Sequence, residues 1–285
     1  MVTGADGQLG SELRELAAAY PQYHFLFTTK ASLSITDNDL VTLFFEKQAI
    51  SFCINCAAYT AVDKAETEKE KAFAVNAIAA GHLATACKAH KTQLIHISTD
   101  YVFDGSAHKA YIEEDTPCPQ SVYGDSKLLG EQEVLKYDKS YILRTAWLFG
   151  PHGNNFVKTM LRLAAEKGEV GVVTDQIGNP TSTFELVRMI DAVLKKGEFG
   201  IYHATCNGVC SWNEFAREVF RVAGMDVKVN DLTTDQFPRP AKRPAYSDLS
   251  KDKLLKVCGY RATDWHDALK EYFDYLKAEE IKQIM

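Results

Sequence analysis

Met1-Val2-Thr3-Gly4-Ala5-Asp6-Gly7-Gln8-Leu9-Gly10, with Leu13, Leu16 and Ala17 following at helical spacing, is the stretch that decides the fold. It reads as a strand stub, a glycine turn and an amphipathic helix. The glycines let the backbone turn tightly and approach a pyrophosphate, which rests on the N–H groups at the helix N-terminus. A glycine triplet alone is a weak signal, but here strand, turn and helix arrive in the order that the mechanism requires. Gly4, Asp6, Gly7, Gln8, Leu9 and Gly10 are therefore the expected cradle of a dinucleotide. A strand usually has about five or six residues, and only Met1 to Thr3 precede the turn. Either the natural start lies upstream or this fold tolerates a clipped first strand.

Working outward, His24 to Thr28 reads as the second strand. A NAD-specific site places an acid about twenty residues after the glycines to hold the ribose 2′-OH. This sequence has Lys30 there, preceded by Thr28 and Thr29. Hydroxyls and a cation suit a 2′-phosphate, so NADPH is the expected cofactor, and NADH stays open. The alternation continues with helix 40–46, strand 50–57, helix 73–90 and strand 93–98. Strands alternating with helices imply right-handed βαβ units and a parallel sheet, a Rossmann-type doubly wound α/β fold. Ligands bind such sheets at the carboxyl ends of the strands. Three segments fall there: 4–10, 55–63 and 98–104.

Thr99 sits at the tip of one of these segments, in His96-Ile-Ser-Thr-Asp-Tyr-Val-Phe-Asp-Gly105. Further on, Tyr123-Gly-Asp-Ser-Lys127 opens a helix. Residues i and i+4 share a helix face, which makes the phenol and the ammonium neighbours. A free tyrosine has a pKa near 10, and a nearby cation is expected to lower it toward working pH. In ketone reduction the phenol gives its proton to the carbonyl oxygen while a nicotinamide delivers hydride to carbon. Thr99 can hold the same oxygen in line.

The chain has 285 residues, 46% hydrophobic and 25% charged, which is ordinary globular composition. A net charge of −6 argues against a general nucleic-acid binder, since phosphate affinity needs clustered Lys and Arg. No apolar run reaches the roughly 18 residues of a membrane span, and no signal peptide precedes the first motif, so a cytoplasmic protein is expected. Cys53-Ile-Asn-Cys56 looks like a redox or zinc pair, yet residues three apart in a strand point to opposite faces. Buried reduced thiols account better for the seven cysteines, and no metal is expected.

Further stretches carry a resemblance: Asn55-Cys-Ala-Ala-Tyr-Thr-Ala-Val-Asp-Lys-Ala-Glu66, Arg144-Thr-Ala-Trp147, Gly153-Asn-Asn-Phe156, Asp175-Gln-Ile-Gly-Asn-Pro-Thr181 and Arg243-Pro244. With the glycine turn, the Ser98–Gly105 run and Tyr123–Lys127, they span nearly the whole chain. The sequence resembles the extended short-chain dehydrogenases/reductases and, within them, the dTDP-4-dehydrorhamnose reductase family. The resemblance implies NAD(P)H-dependent reduction of the 4-keto group of dTDP-4-dehydro-L-rhamnose to dTDP-L-rhamnose. It implies Thr99, Tyr123 and Lys127 as the catalytic set, with Val62, Tyr101 and Trp147 lining a sugar pocket. It also implies Ala57, Ala58 and Tyr59 against the cofactor, with Thr29, Lys30, Ser34 and Ile35 completing that set beside Tyr123 and Lys127. The short first strand and Cys56, where a small residue is usual, depart from the family pattern.

After Trp147 the alternation loosens. Helix 156–167, strand 170–174 and helix 184–194 are expected, the last two returning to the sheet. Segments 212–223, the loop to Arg243 and 265–277 make a smaller α/β substrate-binding lobe. The expected division is residues 1–150 plus about 170–200 for the cofactor and about 151–169 plus 201–285 for the substrate. A nucleoside diphosphate needs charge-assisted donors. Pro238-Arg-Pro-Ala-Lys-Arg-Pro244 offers them, although the residues alone fit a solvated basic loop equally well. The resemblance selects Arg243 for the diphosphate, with Asn154 and Asn155 bonding it or the sugar. The acidic clusters 66–70 and 279–280 read as solvated helix faces.

Three other functions compete. A 4,6-dehydratase needs Thr-Asp-Glu, and Thr99-Asp100-Tyr101 lacks that base. A 4-epimerase would use the same tyrosine and lysine but consume no NAD(P)H. A non-catalytic subunit like the regulatory subunit of methionine adenosyltransferase would keep the cofactor site without reducing a ketone. The partner is a small nucleotide sugar rather than nucleic acid or membrane, and a homodimer is the candidate assembly.

Overall fold

Five short strands run parallel through the middle of the protein, in the order β1 (Val2–Thr3), β2 (Phe52–Asn55), β3 (Gln93–Thr99), β4 (Ser140–Thr145) and, from far along the chain, Gly200–His203. The computed structural model describes residues 1–276. Alternate strand residues feed two cores. Cys53, Leu94 and Ile142 face one side, where Asn38–Lys47 (α2) and Ala79–His90 (α5) pack. Ile54, Ile95, Tyr141 and Leu143 face the other, against Gln8–Leu16 (α1) and Thr183–Lys196. Helices on both faces of a parallel sheet make this a doubly wound α/β fold, as the alternating pattern predicts.

Between these elements lie α3 (Val62–Ala65), α4 (Lys69–Phe73) and α6 (Val122–Val134). The helix expected over 73–90 contains a π-turn at Ala74–Ile78 before α5 begins. Beyond β4 come β5 (Leu148–Phe149), α7 (Phe156–Lys167), β6 (Glu169–Val173), β7 (Ile177–Gly178) and β8 (Thr181–Ser182). The helix Thr183–Lys196 is α8 and Gly200–His203 is β9. The chain then makes β10 (Cys210–Ser211), α9 (Trp212–Ala223), β11 (Lys228–Leu232), α10 (Asp252–Cys258) and α11 (Trp265–Tyr275). Among the described residues, no helix is long and apolar enough to cross a membrane.

Two expectations fail in the sheet. His24–Thr28 is not a full strand: it meets β1 through one bridge, Phe27 to Val2, because β1 offers only two residues to pair with. The strand expected at 170–174 exists as β6 but does not return to the sheet. It pairs in parallel with β11, and Val170 and Val172 enter the core of the second lobe. The fifth sheet strand is β9, which pairs with β4. The segment expected at 212–223 stands as α9; a Ser211–Glu214 capping box opens the helix and Gly224 closes it with positive φ. The run expected to end at Lys277 and the Glu279-Glu280 pair extend outside the described residues.

Candidate active site

The chain leaves β1 toward one side of the sheet and returns through β2 on the other, so a crevice opens at their carboxyl ends. Gly4 turns there with φ +62°, and a Cβ on it would lie 2.6 Å from the Ala57 backbone nitrogen. Only glycine fits that turn. Gly7 caps α1 without any side-chain hydrogen bond, which leaves the first-turn N–H groups turned toward the crevice. Gly7, Gln8 and Leu9 line one wall of a cavity of about 530 Å³. An uncapped helix start in a polar crevice suits an anionic pyrophosphate, so the residues present fit a dinucleotide.

The opposite wall carries Thr99, Tyr101, Tyr123 and Lys127, with Val62, Ala58, Trp147 and Asn154 around it. Helix α6 starts where it does because Ser121 Oγ accepts from Gly124 N at 3.2 Å. Glu66, expected to be a solvated side chain, instead accepts from Val122 N at 2.9 Å and fixes the same end. Gly124 has no room for a Cβ, which would meet the Tyr101 carbonyl oxygen at 2.4 Å. This contact brings the Tyr101 and Tyr123 rings edge to face at 5.4 Å. Below them, Glu131 accepts from Arg144 at 2.7 and 3.0 Å and from Ser98, tying α6 to β3 and β4.

Burial pushes the Tyr123 phenol up to about 12, with the Thr99 hydroxyl pulling the other way and Asp100 adding to the rise. The expectation that Lys127 lowers it is not met. Lys127 is buried on the cavity wall, its Nζ donating to Ile97 O at 2.6 Å, and burial brings it down to about 8 against the pull of Glu131. Tyr123 therefore stays a protonated phenol at neutral pH, the form that can donate. Thr99 Oγ1 is 2.9 Å from Asp100 Oδ1 and accepts from Tyr101 N at 3.2 Å. Burial lifts Asp100 to about 6 despite hydrogen bonds from Ser247 and Thr99.

The remaining candidates divide. Ala57 N is held by Asn55 Oδ1 at 3.2 Å, and Tyr59 N by Asn76 Oδ1 at 2.8 Å, so the loop after β2 is rigid where it borders the crevice. Thr29 is half-buried, its N–H bonded to Ser32 Oγ, while Lys30 is exposed. Ser34 bonds Thr36, and Ile35 is buried with its carbonyl near His82 Nδ1. Asp6 and Gly10 stay out of the cavity: Asp6 is exposed near Arg14, and Gly10 is buried inside the turn.

Trp147 adopts φ +48°, an unusual backbone for a bulky residue, and stacks on Trp212 at 3.6 Å. Two substrate-site expectations change. Asn155 is the N-cap of α7, with Oδ1 accepting from Lys158 N and Nδ2 donating to Gly150 O and Gln8 Oε1, so its polar groups are spent inside the protein. Arg243 is not a free cation. It grips Asp63 at 2.9 and 3.0 Å, because α3 brings that carboxylate to the same loop.

Sequence reasoning misses the pairing of Asn55 with His96, whose Nδ2 and Nδ1 lie 2.9 Å apart behind the cavity, because residues 41 apart leave no local pattern. Cys53 and Cys56 are free thiols, the first buried and the second on the cavity wall. Cys118, expected to be buried, is exposed.

Ketone reduction needs a dinucleotide at the switch point of the sheet and a proton donor within reach of it, and the crevice joins both on a rigid frame. The molecule is an oxidoreductase of the extended short-chain dehydrogenase/reductase class. Residues 1–278 match the family model described as the RmlD substrate binding domain, and the chain belongs to that family. It is 41% identical to the dTDP-4-dehydrorhamnose reductase of Aggregatibacter actinomycetemcomitans, over 96% of this chain and 98% of that one. The solved Clostridium acetobutylicum dTDP-4-dehydrorhamnose reductase superposes with a TM-score of 0.93 at 46% identity, covering 96% and 97%. The Bacillus anthracis dTDP-4-dehydrorhamnose reductase, solved in complex with NADP, also gives 0.93, at 40% identity and 96% and 98% coverage.

Proposed function

We propose that this protein reduces the 4-keto group of dTDP-4-dehydro-L-rhamnose to give dTDP-L-rhamnose, with NADPH as cofactor and Tyr123 as proton donor. The observation that carries the reading is the buried phenol of Tyr123 beside Thr99, across one crevice from the uncapped start of α1. A reduced nicotinamide bound there supplies the hydride. The N–H groups of Gly7, Gln8 and Leu9 hold its pyrophosphate, within the turn shaped by Gly4 and Gly10. Thr29 and Lys30 take the ribose phosphate, which favours NADPH over NADH. Ser34, Ile35, Ala57, Ala58 and Tyr59 wall the cofactor side, and Lys127 holds the nicotinamide ribose.

On the substrate side Thr99 orients the ketone oxygen and Tyr123 protonates it. Val62, Tyr101 and Trp147 enclose the sugar and Asn154 gives it a polar contact. Arg243 serves the diphosphate by exchanging its bond to Asp63 for one to the ligand, which keeps the basic loop ordered beforehand. The expected division of 1–150 plus about 170–200 shifts to 1–150 with about 175–205 for the cofactor half, since β6 lies outside the central sheet and β9 within it, and most of the remainder forms the sugar-nucleotide half. On this reading the enzyme acts in the cytoplasm as a homodimer, and light scattering checks the assembly.

The test is incubation with NADPH and dTDP-4-keto-6-deoxy sugars. One NADPH is expected to be oxidised for each dTDP-L-rhamnose formed. Turnover without oxidation would mean an epimerase, and no turnover a binding subunit.

A further inference from the structure

Lys127 has two hydrogen-bond partners within the protein, the Ile97 carbonyl at 2.6 Å and His96 Nε2 at 3.5 Å. Which form the lysine prefers depends on whether Nε2 carries a proton. That can be derived from the backbone inward. The Ala57 N–H can only donate, and it points at Asn55 Oδ1, 3.2 Å away. The Thr3 hydroxyl donates to the same oxygen at 2.7 Å. These two donors fix the Asn55 amide, since the flipped amide would set N–H against N–H. Asn55 Nδ2 therefore faces His96 Nδ1, at 2.9 Å, and donates to it. Burial holds His96 well below its usual pKa, so the ring is neutral. With Nδ1 accepting, its one proton sits on Nε2, aimed at Lys127.

An ammonium has only donors to set against that N–H. A neutral amine has a lone pair that accepts it. Thr3, Asn55, His96 and Lys127 are each at most 2% exposed, so water does not relieve the mismatch. The other titratable groups around the lysine are Tyr123 and Glu131 on its own helix and Cys56 after β2. Glu131 favours the ammonium, but its carboxylate is already shared between Arg144 and Ser98.

We propose that His96, locked in its Nε2–H tautomer by Asn55, is a positioning residue that weakens the hold of Lys127 on its proton and makes this lysine a ready donor to the site. The proposal rests on the functional reading above, in which Tyr123 gives up a proton each turnover. The Tyr123 O–H bond breaks as the alcohol O–H forms. An N–H bond of Lys127 then breaks, its proton re-forms the phenol by way of the cavity that both side chains line, and the freed lone pair accepts the His96 N–H. Solvent restores the ammonium.

The cofactor-free protein tests this directly by NMR. With ¹⁵N-labelled histidine, His96 is expected to show a protonated Nε2 and a bare Nδ1 across the neutral range. Asn55→Asp presents an acceptor to Nδ1, moves the ring proton there and leaves Nε2 bare for the ammonium. The Lys127 titration midpoint should then rise by about one pH unit, tenfold in proton affinity. His96→Gln, which adds no charge and offers Lys127 an amide oxygen, should raise it as well. The alkaline limb of the kcat/KM profile should follow in both variants. A wild-type ring protonated at Nδ1, or a Lys127 midpoint that neither variant moves, overturns the proposal. Failure of the wild-type protein to reduce a ketone would instead strike the functional reading and leave the NMR result standing.

Discussion

The strip between β3, β4 and α6 and the second lobe have opposite kinds of interior, although the central sheet beside that strip also carries an apolar core on each face. Between β3, β4 and α6 the buried side chains include His96, Ser98, Thr99, Asp100, Ser126, Lys127, Glu131 and Arg144. In the second lobe, α7, α9 and α11 bury an almost wholly apolar set, with Phe149, Phe215, Trp265 and Tyr272 at its centre. Apolar packing is non-directional and tolerates substitution, whereas each buried polar group must find a particular partner or lose about 1–3 kcal/mol. The difference teaches where this molecule has spent stability on orientation: around Thr99 and Tyr123, not in the second lobe.

The contrast is broken most severely at Tyr123. Tyr123→Phe keeps the ring and its edge contact with Tyr101 while removing only the proton donor. Turnover should fall by about 10²–10⁴-fold, with NADPH affinity and melting temperature nearly unchanged. Steady-state kinetics with a parallel binding titration checks this, and near-full activity would refute the assigned chemistry.

Arg144→Met should be the most damaging of the stability changes. Both members of the Arg144–Glu131 pair are about 1–2% exposed, so the variant leaves an uncompensated carboxylate in the interior. A loss of about 3–5 kcal/mol is expected by denaturant titration. Adding Glu131→Leu should recover most of it, because an apolar pair of similar volume needs no partner. If the double variant is no better than the single, the polar interior is not held by pairing.

Glu12 carries the polar style to the seam between α1 and α8, where it accepts from Thr183 Oγ1 at 2.8 Å. Burial raises it from 4.5 to about 7. The folded state therefore keeps this proton to higher pH than the unfolded state. Its stabilising contribution is full below about 4.5 and is lost as pH rises toward 7. Glu12→Gln should flatten that slope and gain about 1–3 kcal/mol at pH 8. Unfolding free energies at pH 5 and 8 for both proteins decide it.

The same contrast explains what the sequence discloses. Leu13 and Leu16 behind the glycine turn, the helical run 212–223 and the i, i+4 spacing of Tyr123 and Lys127 are local patterns, and each stands in the structure where it was expected. The partners of β6 and β9 are chosen by tertiary packing, so the strand expected at 170–174 pairs outside the central sheet. Polar partners are harder still to read. Asn55 meets His96 across 41 residues, and Arg243 meets Asp63 across 180. Neither pairing leaves a periodic trace. Asn155 could have been recognised, since an asparagine just before an amphipathic helix is an N-cap before it is a ligand contact.

The smallest effect is expected where the same side chain is introduced into the other interior. Leu269 is fully buried on α11 in the apolar lobe. Leu269→Met conserves volume, and methionine adapts to irregular surroundings, so the cost should stay below about 1.5 kcal/mol. Placing methionine at 144 strands a carboxylate, while placing it at 269 only exchanges one apolar shape for another. The comparison needs both measured by the same denaturant titration. Equal losses would mean that the second lobe is as tightly specified as the first, and that the polar network near Tyr123 is not where orientation is fixed.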